Sequence, residues 1–208
     1  MNRSTISGFV AGAFLASAFS LGITKIIAQD EKKKDEVAPA IGDMMKKFEK
    51  VMKPGEHHKK LERMVGKWNM ETRIFMGGNA TPPQKGTCEV SWLMDGRWLK
   101  MESQGMMMNM PVRHFSILGY DNFKQSYVAV AVTSADTIMA YSEGDMDPSG
   151  KSLLTYGTID EYMTGEIGKM VKSVWRFESD DRMILEIHDL PIGEHNTKVV
   201  EFTYTRQK

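Results

Sequence analysis

Residues 67–76 read KWNMETRIFM, and this stretch decides the fold. Uncharged, mostly apolar side chains occupy every second position, and charged or amide side chains fill most of the alternate positions. The first set is Trp68, Met70, Thr72, Ile74 and Met76, and the second set is Lys67, Asn69, Glu71 and Arg73. Successive side chains of a β-strand point to opposite faces of the sheet. The alternation therefore predicts a strand with one buried face.

The same period of two recurs along the rest of the chain. The apolar parities are Cys88, Val90, Trp92 and Met94; Val171, Ser173, Trp175 and Phe177; Met183, Leu185 and Ile187; and Val200, Phe202, Tyr204 and Arg206. Further apolar segments lie near residues 112–120, 127–133, 137–143 and 153–158, separated by clusters of Gly, Asp, Asn, Ser and Pro. Asp95-Gly96 and Asp180-Asp181 are predicted turns.

These segments amount to about ten strands joined by connections of hairpin length. The chain is therefore predicted to be all-β, a single antiparallel up-and-down β-barrel preceded by short N-terminal helices. A closed barrel is favoured over a sandwich because rolling up a meander removes its exposed edges. A barrel of eight or more strands is wide enough to enclose a small ligand or to be filled by its own side chains.

Residues 1–28 have the order of a secretory signal. Arg3 precedes an apolar stretch over residues 8–24, and Ala28 is a possible cleavage point before a charged segment. Lys25 interrupts the end of the apolar core, so the segment is expected to be either a removed signal peptide or a retained membrane anchor. Either outcome predicts export, with the mature protein periplasmic or secreted.

Residues 29–54 are predicted to be a polar linker followed by a short amphipathic helix. The linker is rich in lysine before Pro39. Apolar residues then recur at spacings of three and four, which places them on one helix face: Ile41, Met44, Met45, Phe48, Val51 and Met52. A second short helix is expected before Gly66, and residues 55–208 form the barrel domain.

Composition excludes some classes of function. The 208 residues include 27 Lys and Arg against 27 Asp and Glu, so no broad positive field exists to attract nucleic acid. The chain has one cysteine, Cys88, which allows no internal disulfide. Because Cys88 lies on an apolar parity, it is expected to be an inert buried thiol.

Several motifs carry a family resemblance. Residues 54–68, PGEHHKKLERMVGKW, together with GYDN at 119–122, MTG at 163–165 and TYTR at 203–206, closely resemble the bacterial family catalogued as domain of unknown function 1579. Gly66-Lys67-Trp68 also looks like the Gly-x-Trp opening of lipocalins and related calycins, in which the Trp closes one end of the barrel. The resemblance implies a lipocalin-like barrel and lends no activity.

Large apolar residues on the inward parity suggest a binding site for a small hydrophobic or amphipathic molecule. The candidate lining residues are Trp68, Met70, Trp92, Trp175, Phe177 and Tyr204. The same residues could instead fill the barrel completely. In that case the alternative is an envelope structural or interaction protein that uses the helix over residues 41–52 as its contact surface.

Cofactor sites are not predicted, although two candidate metal sites remain open. His114 is the candidate haem ligand by analogy with calycin-like haem carriers. Met106, Met108 and Met110 would share one side of an extended chain and could bind monovalent copper through their thioethers. His57 and His58 are adjacent, so a capping or surface role is favoured for them over metal binding.

Catalytic residues are not identifiable in the sequence. The sequence shows no serine or cysteine nucleophile with a base and no paired carboxylates in a pocket-forming segment. A hydrolase or isomerase acting inside the barrel is the third alternative, after ligand binding and interaction.

Overall fold

A computed structural model describes residues 34–161, 164–190 and 197–208, with side chains from residue 41 onward. The described chain separates into two compact units whose boundary lies between Lys50 and Val51. The predicted signal or anchor over residues 1–28 lies outside the described residues. None of the described helices combines the length and the hydropathy that a membrane-spanning helix requires.

Helix α1 spans Lys34–Met52 and is longer than the sequence predicts. Pro39 does not end the preceding segment as expected but lies within the helix, close to its start. A proline there removes one backbone hydrogen bond and fixes φ near a helical value, so the helix continues with one bond fewer. The predicted apolar face over residues 41–52 is solvent-exposed, with side chains such as Met45 and Met52 both 49% exposed.

Two short helical segments lead into the barrel. Helix α2 spans Glu56–Lys59, and a single 3₁₀ turn spans Glu62–Met64. The backbone N–H of Gly55 donates a hydrogen bond to Nδ1 of His58 at 3.1 Å, which confirms a capping role for this histidine. His58 does not lie at the surface. It is buried, and this burial lowers its pKa.

Eleven strands follow in chain order. They are β1 Gly66–Met76, β2 Asn79–Ala80, β3 Gln84–Leu93, β4 Trp98–Met107, β5 Met110–Asp121, β6 Ser126–Thr133, β7 Met139–Met146, β8 Ser152–Glu161, β9 Glu166–Ser179, β10 Arg182–Asp189 and β11 Lys198–Arg206. Apart from the two-residue β2, each pairs antiparallel with its neighbour in sequence. Strand β1 pairs with both β3 and β11, which closes a ten-stranded barrel. The prediction of an up-and-down barrel is confirmed.

The inward parity of β1 is also confirmed, because Trp68, Met70 and Thr72 are buried. They pair across the barrel seam with Arg206, Tyr204 and Phe202 of β11. Two predicted inward residues are exceptions: Met76, the last residue of β1, is 59% exposed, and the other is Met94. It lies in the turn between β3 and β4 with a φ of 51° and is 70% exposed.

One end of the barrel is plugged by the segment that precedes β1. Leu61 and Met64 are fully buried, and the indole N–H of Trp68 donates to the carbonyl of Met64 at 2.9 Å. The Arg206 guanidinium lies 4.1 Å from the Trp68 ring and donates to the carbonyl of Val65 at 2.7 Å. These contacts seal this end with both packed side chains and satisfied polar groups.

Candidate ligand-binding cavity

The other half of the barrel encloses a cavity of about 360 Å³. Its floor is formed by side chains such as Cys88, Met101 and Leu118, which face the plugged end. Away from the plugged end the lining comes from Thr133 at the end of β6, from Asp136 and Ile138 in the loop that follows, and from Glu161 at the end of β8, and this end is called the mouth. This volume lies at the lower end of the range for pockets that hold small organic molecules.

Small side chains on one wall explain why the barrel is not filled. Strands β5, β6 and β7 present Ser116, Ala129, Ala131, Ala140 and Ser142 to the cavity. The opposite wall, on β9–β11, carries larger residues that include Trp175, Leu185 and Phe202. Alanine and serine leave space that a leucine or phenylalanine at the same position would occupy, so the cavity is displaced toward β5–β7.

Aromatic side chains line the deep end of the large-residue wall. The Trp175 and Tyr204 rings stack at 5.6 Å between centroids, and these residues are only 7% and 5% exposed. Within the described chain, no residue forms a hydrogen bond with the indole N–H of Trp175 or the hydroxyl of Tyr204. Neither atom is among the fully enclosed unpaired polar atoms of the described chain, so both are reached from the cavity and are available to a bound molecule. Burial raises the pKa of Tyr204 well above its ordinary value, so its hydroxyl stays protonated.

Cys88 also lines the cavity, as a buried free thiol. Burial raises the pKa of this thiol to about 12, which leaves almost no thiolate at neutral pH. Cys88 therefore contributes apolar surface and not a nucleophile.

His114 faces the interior, an orientation that its sequence context leaves undetermined. It pairs with Ser103 of β4 and Thr133 of β6 and lines the cavity toward the mouth. Burial lowers its pKa, which keeps the imidazole neutral at pH 7. A neutral inward imidazole can accept or donate one hydrogen bond, or bind a metal ion, at this position.

Three carboxylates lie near the mouth, on Asp136, Asp160 and Glu161. Asp136 accepts from the backbone N–H of Ile138, and Asp160 accepts from that of Gly168, both at 2.9 Å. These bonds fix the loops that surround the mouth. Of the described residues that line the cavity, none is a lysine or an arginine.

The cavity includes only two of the six lining residues expected from sequence. Trp175 and Tyr204 contact it, whereas Trp68, Met70, Trp92 and Phe177 do not. Trp68, Met70 and Phe177 belong to the buried core, and Trp92 is partly buried, with its indole N–H donating to Glu62 at 2.6 Å. Alternation in sequence identifies the face of a strand that points inward, but it does not identify how far along the barrel each residue lies.

The three methionines proposed for copper do not share a side. Met108 and Asn109 are the two turn residues between β4 and β5, with φ angles of 51° and 64°, so the chain is not extended there. Met107 pairs with Met110, and Met106 pairs with Pro111, which places Met106 and Met110 on opposite faces of the hairpin. The premise of an extended run is therefore wrong. Within the described chain, no group of three or more His, Cys, Asp or Glu residues is positioned to hold a metal ion.

The small residues of the β5–β7 wall were missed by the sequence reasoning. A signal for them exists in residues 127–133, YVAVAVT, where alanine alternates with valine. The lining candidates from sequence are large apolar residues. A cavity, however, forms where the inward-facing positions of a strand carry small side chains.

The comparisons with known proteins agree with a barrel of this kind. A family model described as protein of unknown function (DUF1579) matches residues 53–206. No curated protein matches the chain in sequence.

The solved structures that are similar to the chain include the following three. Rv2717c from M. tuberculosis has a TM-score of 0.53 at 12% identity, covering 75% of this chain and 100% of that one. The S-type phycobiliprotein lyase CPES from Guillardia theta has a TM-score of 0.46 at 11% identity, covering 74% and 99%. A redesigned β barrel has a TM-score of 0.35 at 13% identity, covering 72% and 96%. At these identities, the likeness to Rv2717c supports the fold alone.

Proposed function

The chain belongs to the DUF1579 family of proteins of unknown function, whose model spans nearly the whole barrel, and we propose that it binds a small hydrophobic or amphipathic molecule inside that barrel. The observation that carries this proposal is the cavity of about 360 Å³ between a plugged end and a mouth. A barrel that served only as a rigid scaffold would gain stability by filling this space with larger side chains.

The chemistry of the walls supports the same function. Most of the lining is apolar, and a few polar groups converge on the space, including the indole of Trp175, the hydroxyl of Tyr204 and the imidazole of His114. Apolar walls with a small number of placed polar groups are typical of small-molecule sites, because the walls supply affinity and the polar groups supply orientation.

We also propose that this binding takes place outside the cytoplasm. The support is the order of basic residue, apolar core and small residue in positions 1–28. Both a cleaved signal peptide and a retained anchor place residues 55–208 beyond the inner membrane. Expression of the full-length chain in a bacterium tests this proposal: we expect the protein in the periplasmic or membrane fraction, and recovery in the cytoplasm would contradict it.

A fluorescence titration tests binding in the cavity. The probe is N-phenyl-1-naphthylamine, which is uncharged at neutral pH and fluoresces strongly in apolar surroundings. We expect saturable binding with a stoichiometry of one. Replacing a wall alanine by phenylalanine, as in Ala131→Phe, fills the cavity and should abolish the signal.

A matched control separates cavity filling from general effects. Ala80 is exposed in β2 and does not line the cavity, so Ala80→Phe should bind the probe like the unsubstituted protein. Because overpacking can destabilise a core, Ala129→Leu provides a second, smaller filling variant. Equal binding by all four proteins would place the probe outside the barrel and contradict the proposal.

Haem is an alternative occupant, because the His114 imidazole is neutral and faces the cavity. His114 would hold the haem iron through its imidazole, and bound haem would add redox and gas-binding chemistry to the barrel. A titration with haemin checks this alternative. A sharp absorption band that His114→Ala removes would support haem, whereas an unchanged spectrum in both proteins would exclude His114 as its ligand.

A further inference from the structure

We propose that the molecule bound in this cavity is an elongated amphiphile with a cationic group, which lies at the mouth while the apolar body extends toward Trp175 and Tyr204. This inference rests on the proposed function and specifies its ligand class. The observations behind it are the charges at the mouth, the shape of the cavity and the polar groups at its floor.

The described residues that line the mouth carry negative charge. Asp136, Asp160 and Glu161 line the cavity, and the described lining residues include no lysine or arginine. Within the described chain, neither Asp136 nor Asp160 has an ion-pair partner. His114 adds no charge at neutral pH, because burial keeps it neutral.

One lysine, Lys169, lies close to Glu161, but its positive charge is shared among several carboxylates. The ammonium of Lys169 lies 3.9 Å from Glu161, 3.5 Å from Glu166 and 2.8 Å from Asp189. These ion pairs set one positive charge against three carboxylates. The negative charge that the inference uses is that of Asp136 and Asp160, which have no ion-pair partner among the described residues.

This field discriminates between ligands by the sign of their charge. Charges beside low-dielectric walls interact more strongly than charges in bulk water, so a cation at the mouth is attracted and an anion is repelled. A carboxylate amphiphile such as a fatty acid would place its charge beside three like charges. An ammonium group at the same position would form charge-assisted hydrogen bonds.

The length of the cavity suits an elongated molecule. Along β8 the lining runs from Thr155 to Glu161. Six steps of about 3.3 Å give roughly 20 Å of strand, which a barrel tilt of about 40° reduces to roughly 15 Å of depth. An extended chain of about ten atoms therefore reaches from the mouth to the floor.

The floor provides an independent indication of a ligand. Trp175 and Tyr204 are more than nine-tenths buried, line the cavity, and have polar groups without a hydrogen-bond partner among the described residues. A ligand whose inner end bears a hydrogen-bond acceptor would satisfy the indole N–H.

Isothermal titration calorimetry with three matched probes tests the charge preference. Decylamine, 1-decanol and decanoate share one chain length and differ in the charge of the head group at pH 7.5. We expect decylamine to bind at least tenfold more tightly than decanoate, with 1-decanol between them. We also expect 10-amino-1-decanol to bind more tightly than decylamine, because its inner hydroxyl can accept from Trp175.

Two triple variants assign the preference to the mouth. Asp136→Asn/Asp160→Asn/Glu161→Gln should reduce the ratio between decylamine and decanoate to threefold or less. The control Glu56→Gln/Asp95→Asn/Glu178→Gln changes the net charge equally but lies at the plugged end, so its ratio should remain at least tenfold.

The outcomes separate this inference from the proposed function. If the naphthylamine probe binds but the three decyl probes bind equally, or decanoate binds most tightly, the cationic class is wrong and the binding barrel stands. If the naphthylamine probe binds and none of the decyl probes does, the inference is also wrong. If no probe binds at all, the proposed function itself fails.

Discussion

Arg206 is the residue on which the plugged end depends most directly. Besides its bond to Val65, its guanidinium donates to the carbonyls of Arg63 and Asp180, both at 2.8 Å. The same group covers the face of Trp68. One side chain thus satisfies two backbone carbonyls where the chain enters the barrel and one in the turn between β9 and β10.

Removal of this side chain should destabilise the protein strongly. Because Arg206→Ala leaves these carbonyls without their donor and uncovers Trp68, we expect a loss of about 2–4 kcal/mol in the free energy of unfolding, measured by urea denaturation. Arg182→Ala is the control, since Arg182 forms an exposed ion pair with Glu178 and should cost less than about 1 kcal/mol. Similar losses in the two variants would contradict this role of Arg206.

His114 gives a second prediction at the level of a residue, through its lowered pKa. As the pH falls below the ordinary value of 6.5, the unfolded chain takes up a proton before the folded chain does. The folded state therefore loses stability as the pH falls from 6.5 through the lowered pKa of His114. Burial lowers the pKa values of His58 and His188 in the same direction, so they contribute to the same loss.

Replacement of His114 by phenylalanine should make the stability less sensitive to acid. We expect the difference in unfolding free energy between pH 7.5 and pH 5.5 to shrink by up to about 1 kcal/mol, since one pKa unit corresponds to about 1.4 kcal/mol. Urea denaturation at the two pH values measures it. An unchanged difference would show that His114 does not titrate as its burial implies.

At the level of elements, β7 and β8 approach each other closely around two glycines. Gly157 pairs with Ser142, and a Cβ built at Gly157 would lie 1.9 Å from the carbonyl oxygen of Tyr141. A Cβ at Gly144 would lie 2.0 Å from the carbonyl oxygen of Leu154. Backbone atoms cannot move aside as a flexible side chain can, so only glycine fits this strand pair.

Gly157→Ala should therefore destabilise the barrel. We expect a loss of about 1–3 kcal/mol because the added methyl group forces the two strands apart. Gly42→Ala, in helix α1, is the control: a Cβ at Gly42 meets no atom within 4 Å, so the change should be neutral or slightly stabilising. Thermal denaturation followed by circular dichroism compares the two, and equal midpoints would contradict the close approach.

The boundary between Lys50 and Val51 gives a prediction for helix α1. A chain that begins at Val51 keeps the contacts that Asn122 and Arg97 make with the carbonyls of Lys53 and Met52. We expect it to unfold with the same midpoint in urea as the chain that begins at residue 29. A clear loss of stability would show that the barrel depends on α1. The role of the exposed face of α1 in interaction remains a prediction from sequence.

Strand periodicity made most of the elements predictable. Alternation fixes the inward face because side chains of a strand point in opposite directions, and closure follows from the series of short hairpins. Helix α1 was predicted too short, since Pro39 was interpreted as a boundary. The turn at Met108 and Asn109 was not foreseen because these residues lack the glycine that usually marks a two-residue hairpin turn.

At the scale of the whole molecule, the candidate site was predicted less well than the fold. The depth of a residue in a barrel depends on strand tilt and register, which the pattern of one strand does not contain. Trp68 and Trp175 share the inward parity, yet one packs in the plugged end and the other lines the cavity. The cavity exists because Ala129 and Ala131 carry small side chains at inward-facing positions. Larger side chains at these positions would fill the space.

The barrel thus combines a solid half with a hollow half. The solid half is packed around Leu61, Met64 and Trp68, which gives the rigidity that a preformed cavity needs. The hollow half keeps about 360 Å³ of space that the sequence could have filled with larger side chains. This division is the feature of the whole molecule that the binding proposal explains.

Native mass spectrometry of the protein purified from a bacterial periplasm tests that explanation most directly. The account predicts an organic mass bound to the barrel at a stoichiometry of one, and predicts that Ala131→Phe loses this mass while Ala80→Phe retains it. A bare polypeptide at the calculated mass in all three samples, together with no uptake of the naphthylamine probe, would contradict the claim that the barrel is a binding site.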